Sequence, residues 1–435
     1  MTPQQRLATR EFFGVKLGLD AIAALVAALD HPERAFLSVI VAGTNGKGSV
    51  TAMVARALRA AGVRAGRYTS PHLMHLRERF AIDDIDVGDA QLDAALQLVF
   101  DAEDRLLESG RLSAPTTYFE LTTACAFVLF AQARVQVAVI EVGLGGRLDA
   151  TNVVRAPLAA ITSIDIDHVA QLGDTLAQIA AEKAGVIMPG ATVVSGVVEQ
   201  ESAAVIAMVA ARQQARLVRA GDDVRIEAEQ RDGETRVRLT TPTRAYGPLT
   251  LALRGTHQLA NAIVAVRVLE ALEERGVGGG GDAITVGLAE ASWPGRLERR
   301  ELPNGLPLVL DGAHNRAGAL ALAEWLHSSH FAPAALVTAC MRDKDVAALL
   351  GPLLPLVTRV LATEVDFPRA LPAEDLAAAV TALAPSLPVQ VVATPAAAMI
   401  AASEGGVRVV VAGSLFLVGA VRAWLDGEGS VRDPA

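Results

Sequence analysis

Continuous apolar runs of strand length alternate along the chain with stretches whose apolar positions recur every three or four residues. "AFLSVIVA" (35–42), "VQVAVIEVG" (135–143), "APLAAITSI" (156–164) and "ATVVSGVV" (191–198) are such runs. Their lack of polar alternation predicts strands buried on both faces. Helical periodicity fills the intervals at 47–61, 89–108, 117–134, 174–187 and 200–213. That order predicts a mainly parallel sheet covered by helices on both sides. Residues 216–253 break the pattern: "DVRIEAEQRDGETRVRLTTP" alternates polar and apolar positions about an Asp-Gly turn. It predicts antiparallel hairpins, a small β insert. A helix at 256–275, a flexible "GVGGGGD" (276–282), a short helix and "SWPGR" (292–296) follow.

From about residue 297 the strand–helix alternation restarts. "LPLVLDG", "AALVTAC", "TRVLATEV", "VQVVAT" and "VRVVVAG" are five further strands with helices between them. The chain thus divides into an α/β domain over 1–295 and a second, Rossmann-like α/β domain over 296–435.

Composition fits this picture. Of 435 residues, 51% are hydrophobic and only 4% aromatic, which suits helices stacked on a buried sheet. The net charge of −9 argues against general nucleic-acid binding. An anionic ligand must therefore be met by a local feature. Cys125 and Cys340 lie far apart in apolar stretches and read as buried free thiols of a reducing compartment. The start "MTPQQRLATREFFG" lacks a basic segment followed by an apolar one, and no run reaches the roughly 18 apolar residues of a membrane span. A soluble, cytoplasmic protein is expected.

Three constellations carry candidate chemistry. The first is "VAGTNGKGSV" (41–50), a glycine-rich loop with one lysine between a strand and a helix. Glycines let backbone N–H groups point inward, the helix start adds partial positive charge, and Lys47 can meet phosphate oxygens. The strict phosphate-loop pattern is not met. Val41 stands at the first Gly position, and Gly48 stands where Ser or Thr should follow Lys47, with Ser49 one place later. The second is "IEVGLGGRLDATN", which puts Glu141 at a strand's C-terminal end, where open parallel sheets bind ligands and a carboxylate can hold magnesium. The third, "TSIDIDHVAQLGDT", places Asp165, Asp167 and His168 after the next strand, as candidates for a metal or phosphate role. Lys183 and Glu182, on the helix "IAAEKAGVI", read by pattern alone as a solvated face.

Taken in order, "VAGTNGKGSV", "YTSPHL", "TYFELTTACAF", "EVGLGGRLDATN", "LGDTLAQIAAEKAGVI", "NAIVAV", "PGRLE", "LDGAHN" and "DKD" resemble the dihydrofolate synthase/folylpolyglutamate synthase family of the Mur ligase superfamily. The resemblance runs from about residue 14 to about 418. It implies a P-loop Mur ligase domain and a reaction. ATP phosphorylates a carboxylate of dihydropteroate or a tetrahydrofolate, the amine of L-glutamate attacks the acyl phosphate, and phosphate leaves. Phosphorylation is needed because a carboxylate is a poor electrophile with a poor leaving group. Cations and preorganised donors must then bring the anions together.

The resemblance also assigns roles. Thr44, Asn45, Gly46, Lys47, Gly48 and Ser49 would hold ATP phosphates. Ser49, Ser70, Glu141 and His168 would ligate Mg2+ at two sites. Lys183 would be carbamylated, its charge inverted to support the second magnesium. Asn261, Arg296 and Asp311 would contact the nucleotide, and His314 would lie near the phosphates. Thr117, Phe119, Glu120, Leu148, Asp149 and Ala150 would form the pterin or folate site, with residues 9–12 as its closure. Catalysis would fall to Lys47, Lys183, His168 and His314.

Two positions depart from the family pattern: Ile40 where relatives often carry His, and Arg316 where they often carry Pro. The first predicts a packing change, the second an altered helix start. A Mur ligase acting on a nucleotide-linked precursor would need a UDP-binding domain, for which the roughly 40 residues before the loop leave no room. A GTPase switch would need a guanine-reading N-K-x-D, which is absent from the sequence. A monomer is expected, because a cleft between two domains of one chain already makes a complete site. No nucleic-acid or membrane partner is expected.

Overall fold

Three sheets organise the described residues. The structure, a computed structural model, describes residues 1–10 and 18–428. The first sheet holds β1 (Leu37–Ala42), β2 (Ala65–Tyr68), β3 (Phe80–Ile82), β4 (Ile85–Asp86), β5 (Val137–Glu141), β6 (Leu158–Ile161), β7 (Thr192–Ser195) and β8 (Arg216–Arg219) in the order β4-β3-β2-β5-β1-β6-β7-β8. From β2 to β8 every pairing is parallel; β3 and β4 add an antiparallel edge. In β1, β5 and β6 the runs read as doubly buried are so, since every residue from Val39 to Ala42, Val137 to Glu141 and Leu158 to Ile161 is buried. One face packs against helices Lys47–Ala60, His257–Glu273 and Gly280–Glu290, the other against Asp20–Ala28, Asp89–Glu108 and Tyr118–Gln132. Ile40, the first departure from the family pattern, is fully buried in β1.

The β insert is smaller than the alternation predicted. Arg216–Arg219 pairs in parallel with β7 as an edge of the first sheet. The insert proper is the antiparallel set β9 (Arg225–Arg231), β10 (Glu234–Thr240) and β11 (Ala245–Thr250). The third sheet comprises β12 (Glu298–Glu301), β13 (Pro307–Leu310), β14 (Ala334–Thr338), β15 (Val357–Thr363), β16 (Val389–Val392) and β17 (Val409–Ala412), in the order β12-β13-β17-β14-β15-β16. All five strands read from the sequence are there, in parallel, and β12 adds an antiparallel edge. Helix Arg316–Ser328 starts cleanly despite lacking the family's proline. Asn315 caps it, its Oδ1 accepting the Gly318 N–H at 2.9 Å.

This topology positions the site. The C-terminal ends of β1, β2, β5 and β6 open toward one edge of the first sheet, and the residues after β14 and β17 meet them from the other domain. No helix among the described residues is long and apolar enough to cross a membrane.

Candidate active site

A cavity of about 600 Å3 lies where the two sets of strand ends meet. Its wall includes the whole loop Thr44–Ser49 together with Ser70, Glu141, His168, Lys183, Arg296 and His314. These come from strand ends and loops up to 270 positions apart in sequence, since Thr44 and His314 face the same space.

The loop is strapped to the end of β6. Thr44 N–H donates to the Ser163 carbonyl (2.8 Å) and Asn45 N–H to Ser163 Oγ (3.0 Å), while Thr162 Oγ1 donates to the Asn45 carbonyl (2.6 Å). Gly46 begins the Lys47–Ala60 helix with φ 84°, and no side chain caps that helix. A Cβ at Gly46 would also come within 2.3 Å of Asn261 Oδ1, so both space and backbone require glycine there. The first-turn N–H groups are left to a ligand, which is the physical basis of anion binding at a helix start. Ser49 is buried and accepts from Gln258 Nε2 at 3.2 Å; Gln258 is in turn held by Asn261 Nδ2 at 2.9 Å. Asn261 therefore supports the loop from behind and does not line the cavity.

Lys183 overturns the solvated-face reading. It is buried, and its Nζ donates to the Gly43 carbonyl at 2.9 Å. A nine-residue helix, Leu176–Ala184, turns this face inward, leaving Glu182 outside to pair with Arg147 at 2.8 Å. Lys47 Nζ donates to the same Gly43 carbonyl (3.0 Å) and to that of Thr44 (3.2 Å). Burial, with the neighbouring Lys47 cation, brings the Lys183 ammonium down to about 7. Burial also lowers Lys47, against the attraction of Glu141.

Glu141 is buried, and burial raises its carboxyl against the pull of Lys47. Its Oε2 accepts the Ser70 N–H at 3.2 Å. No group of three or more His, Cys, Asp or Glu side chains that could hold a metal gathers among the described residues. Ser49, Ser70, Glu141 and His168 instead offer two hydroxyls, one carboxylate and one imidazole around the cavity. That sparse, oxygen-rich set fits magnesium, which keeps waters and takes phosphate oxygens, better than it fits a zinc-like ion.

Asp167 does something the sequence did not show. It reaches into the second domain: Oδ1 accepts from Lys344 Nζ at 2.8 Å, Oδ2 from Asn315 Nδ2 at 3.2 Å, and His314 Nε2 lies 3.9 Å away. Asn315 Nδ2 also donates to Asn45 Oδ1 in the loop, at 3.1 Å. Burial would raise Asp167, but Lys344, His168 and His314 hold it well below the ordinary carboxylate range. Asp165 Oδ1 caps its own turn at Ile166 N–H (2.7 Å). His314 donates from Nδ1 to the Gly312 carbonyl (2.8 Å), and burial beside Arg296 brings its ring down to about 4. His168 is exposed at the cavity rim; desolvation and the nearby cations lower it, against Asp167.

Other expected contacts are placed elsewhere. Asp311 lies outside the cavity lining; its carboxylate accepts Leu297 N–H (2.8 Å) and Ala313 N–H (2.9 Å), pinning the segment that joins the domains. The residues expected around a pterin also lie off this cavity. Thr117 and Glu120 satisfy each other in a capping box, Glu120 Oε2 accepting Thr117 N–H at 2.7 Å. Asp149 accepts Leu144 N–H (2.8 Å) and Thr151 N–H (3.0 Å). Phe119 rests on Gly143, its ring centroid 6.1 Å from that of Tyr68, and Leu148 and Ala150 flank Asp149 in the adjoining turn. Of the closing segment 9–12, Thr9 and Arg10 are described; Arg10 pairs with the buried Glu103 (2.8 Å), which also accepts Thr116 N–H (2.7 Å). Residues 11 and 12 lie outside the described residues.

Comparison with known proteins assigns the family and the architecture. The Mur ligase middle domain model covers residues 41–269, and the dihydrofolate synthetase C-terminal domain model covers 297–425. A dihydrofolate synthase/folylpolyglutamate synthase of Bacillus subtilis is 37% identical over 370 residues, covering 84% of this chain and 85% of that protein. The chain belongs to this family. A Mycobacterium tuberculosis folylpolyglutamate synthase complexed with ADP superposes with a TM-score of 0.89 at 35% identity, covering 97% of this chain and 98% of that one. A bifunctional folylpolyglutamate synthase/dihydrofolate synthase of Yersinia pestis complexed with AMPPNP and Mn ion gives 0.83 at 32% identity, with 98% of each chain covered. The family's two-domain α/β architecture is thus the one described above, and the chain is an enzyme of the ATP-dependent ligase class.

Proposed function

We propose that this protein joins L-glutamate to dihydropteroate and to reduced folates, using ATP to activate the acceptor carboxylate as an acyl phosphate. The observation that carries the reading is the convergence of Lys47 and Lys183 on one carbonyl at an uncapped helix start, with Glu141 in the same cavity wall. Two anions must meet for a carboxylate to take a phosphoryl group. The loop N–H groups, Lys47 and Arg296 would offset that repulsion and orient the γ-phosphate. Ser49, Ser70, Glu141 and His168 would hold magnesium, which when bound neutralises phosphate charge and polarises the transferred group. His314 and Asn315 arrive from the second domain and would exclude water from the reacting atoms.

Lys183 in its carbamylated form belongs to this reading. Two ammonium groups sharing one acceptor repel each other. Attack of the neutral Lys183 amine on CO2, with an N–H proton lost to solvent, would form a carbamate, convert that repulsion into an attraction to Lys47 and supply an anion for the second magnesium. A lysine brought down to about 7 carries enough neutral amine at physiological pH for that addition.

The dihydropteroate half rests on Phe119 and the turn at 148–150, which offer a ring face and backbone groups to a flat heterocycle. Asp149 already satisfies backbone N–H groups, which favours a second reading, a folylpolyglutamate synthase without dihydropteroate activity. The cavity is lined from both domains of one chain, which supports a monomer. The acyl phosphate is tested by isotope transfer. With the acceptor carboxylate labelled with 18O, one labelled oxygen should appear in inorganic phosphate per turnover; its absence would exclude the intermediate.

A further inference from the structure

The sequence leaves one irregularity unexplained: glycine follows the loop lysine, where a hydroxyl residue is the rule. Gly48 is the second residue of the Lys47–Ala60 helix, a position with no need of glycine's conformational freedom. Its reason is a neighbour. A Cβ at position 48 would come within 2.4 Å of Trp293 Cζ2, 2.5 Å of Cε2 and 2.7 Å of Nε1. Trp293 belongs to the segment 291–297 that joins the two domains, and its indole lies directly on the start of the phosphate loop's helix. The Arg67 guanidinium sits 5.2 Å from the centre of the ring. Trp293 is therefore packed between the loop and a cation that lines the same cavity, and Arg67 is only loosely neutralised, 3.8 Å from Asp84 and 3.7 Å from Asp86.

The linker is itself fixed at its far end. Asp311 of the second domain accepts Leu297 N–H, and Gly312 N–H donates to the Gly295 carbonyl at 2.7 Å. A rigid aromatic ring thus carries the linker's position to the N–H groups that would face phosphate. A ring resting on backbone leaves no soft side chain to absorb a shift, so displacement of either partner moves the other.

We propose that Trp293 is a positioning residue for nucleotide binding: its indole, seated on Gly48, sets the orientation of the phosphate loop from the interdomain linker. The proposal rests on the reading that the loop holds nucleotide phosphates, but not on the identity of the acceptor. Position 48 is glycine because the ring takes the space a side chain would need, and the two residues form one unit.

The test is reciprocal. Binding of Mg-ADP to the full-length protein is measured by titration calorimetry for wild type, Gly48→Ala, Trp293→Ala, the double variant and Trp293→Phe. This needs no acceptor, so a wrong acceptor assignment leaves the result intact, and wild-type binding checks the nucleotide reading separately. Gly48→Ala should weaken binding tenfold or more, Trp293→Ala by several fold, and Trp293→Phe little. The double variant should bind tighter than Gly48→Ala alone, because removing the ring makes room for the methyl. Should Gly48→Ala be too unstable to titrate, the same reciprocity is read in the melting temperature, where the double variant should melt above Gly48→Ala. Independent, additive losses, or a Gly48→Ala protein that binds like wild type, would overturn the proposal.

Discussion

Lys47 and Lys183 donate to the same carbonyl oxygen, that of Gly43, at 3.0 and 2.9 Å. One lysine comes from the phosphate loop and the other from a helix that follows it by more than a hundred residues. Lys183 is buried and Lys47 half-buried, and their mutual repulsion is part of why Lys183 falls to about 7. Such a lysine is poised to be neutral, and only the neutral amine adds CO2.

Carbamylation of Lys183 should therefore follow pH in a definite direction. The protonated fraction falls as pH rises through about 7, so the neutral amine and its carbamate accumulate toward pH 8. With 13CO2, a carbamate carbon signal should be stronger at pH 8 than at pH 6 and absent in Lys183→Ala. That variant should lose at least about 100-fold in kcat, as expected for an interaction serving the transition state, and bicarbonate should not restore it. Wild-type activity in Lys183→Ala would remove the carbamate role.

Glu141 stands at a cost to stability. Burial raises its carboxyl, so its charge is held there by Lys47 and by whatever cation binds. Glu141→Gln should lower ATP turnover by about 100-fold or more while leaving the melting temperature of the metal-free protein unchanged or higher. Magnesium titration of the wild type should raise its melting temperature in the presence of ADP, and the variant should respond less. Equal responses would take Glu141 out of the metal site.

The Asp167–Lys344 pair ties the domains together beside the loop. Lys344→Met removes the largest of the influences that hold Asp167 in its charged form, leaving Asn315 and the nearby His314 to carry the contact. We expect the ATP KM to rise by about fivefold to tenfold, with kcat at saturating ATP less affected, because uniform binding is lost. Asp167 is depressed below its ordinary value, so its contribution to stability is present above about pH 4 and is lost only as pH falls through its lower folded value. The KM effect should accordingly be flat between pH 6 and 8; a strong dependence across that window would assign it to another group.

Gly46 is constrained twice, by its φ of 84° and by Asn261. Gly46→Ala should abolish nucleotide binding in calorimetry or weaken it beyond about 100-fold. Near-normal binding would show that the loop relaxes without loss of function.

The parts of the fold legible in the sequence were those whose two faces are both apolar. β1, β5 and β6 read directly as buried strands, and the helices between them follow from period alone. β2, "AGRY", was not legible, because its small residues and one arginine carry no strand pattern; nor was β12, "ERRE", which is an edge strand with charges on it. Arg216–Arg219 was assigned to the insert because its alternation continues into β9, whereas only three-dimensional pairing shows that it joins β7. At the site, the loop and Glu141 were legible from position at strand ends. Lys183 was not: a charged residue on a short amphipathic helix looks solvated unless its acceptor, Gly43, 140 positions earlier, is known. The same holds for Asp167, whose partners lie across the domain junction, and for Trp293, which meets Gly48 and Arg67 more than two hundred positions earlier. Family resemblance pointed to Lys183, and the structure places it in the cavity wall beside Lys47.

ADP release should be measured with ATP, magnesium and L-glutamate, in parallel with dihydropteroate and with tetrahydrofolate as acceptor. Turnover is expected with both, dependent on glutamate in each case. Turnover with tetrahydrofolate alone would restrict the enzyme to chain extension. Turnover with neither acceptor, in folded protein that binds nucleotide, would rule out glutamate ligation to a pteroate or folate carboxylate.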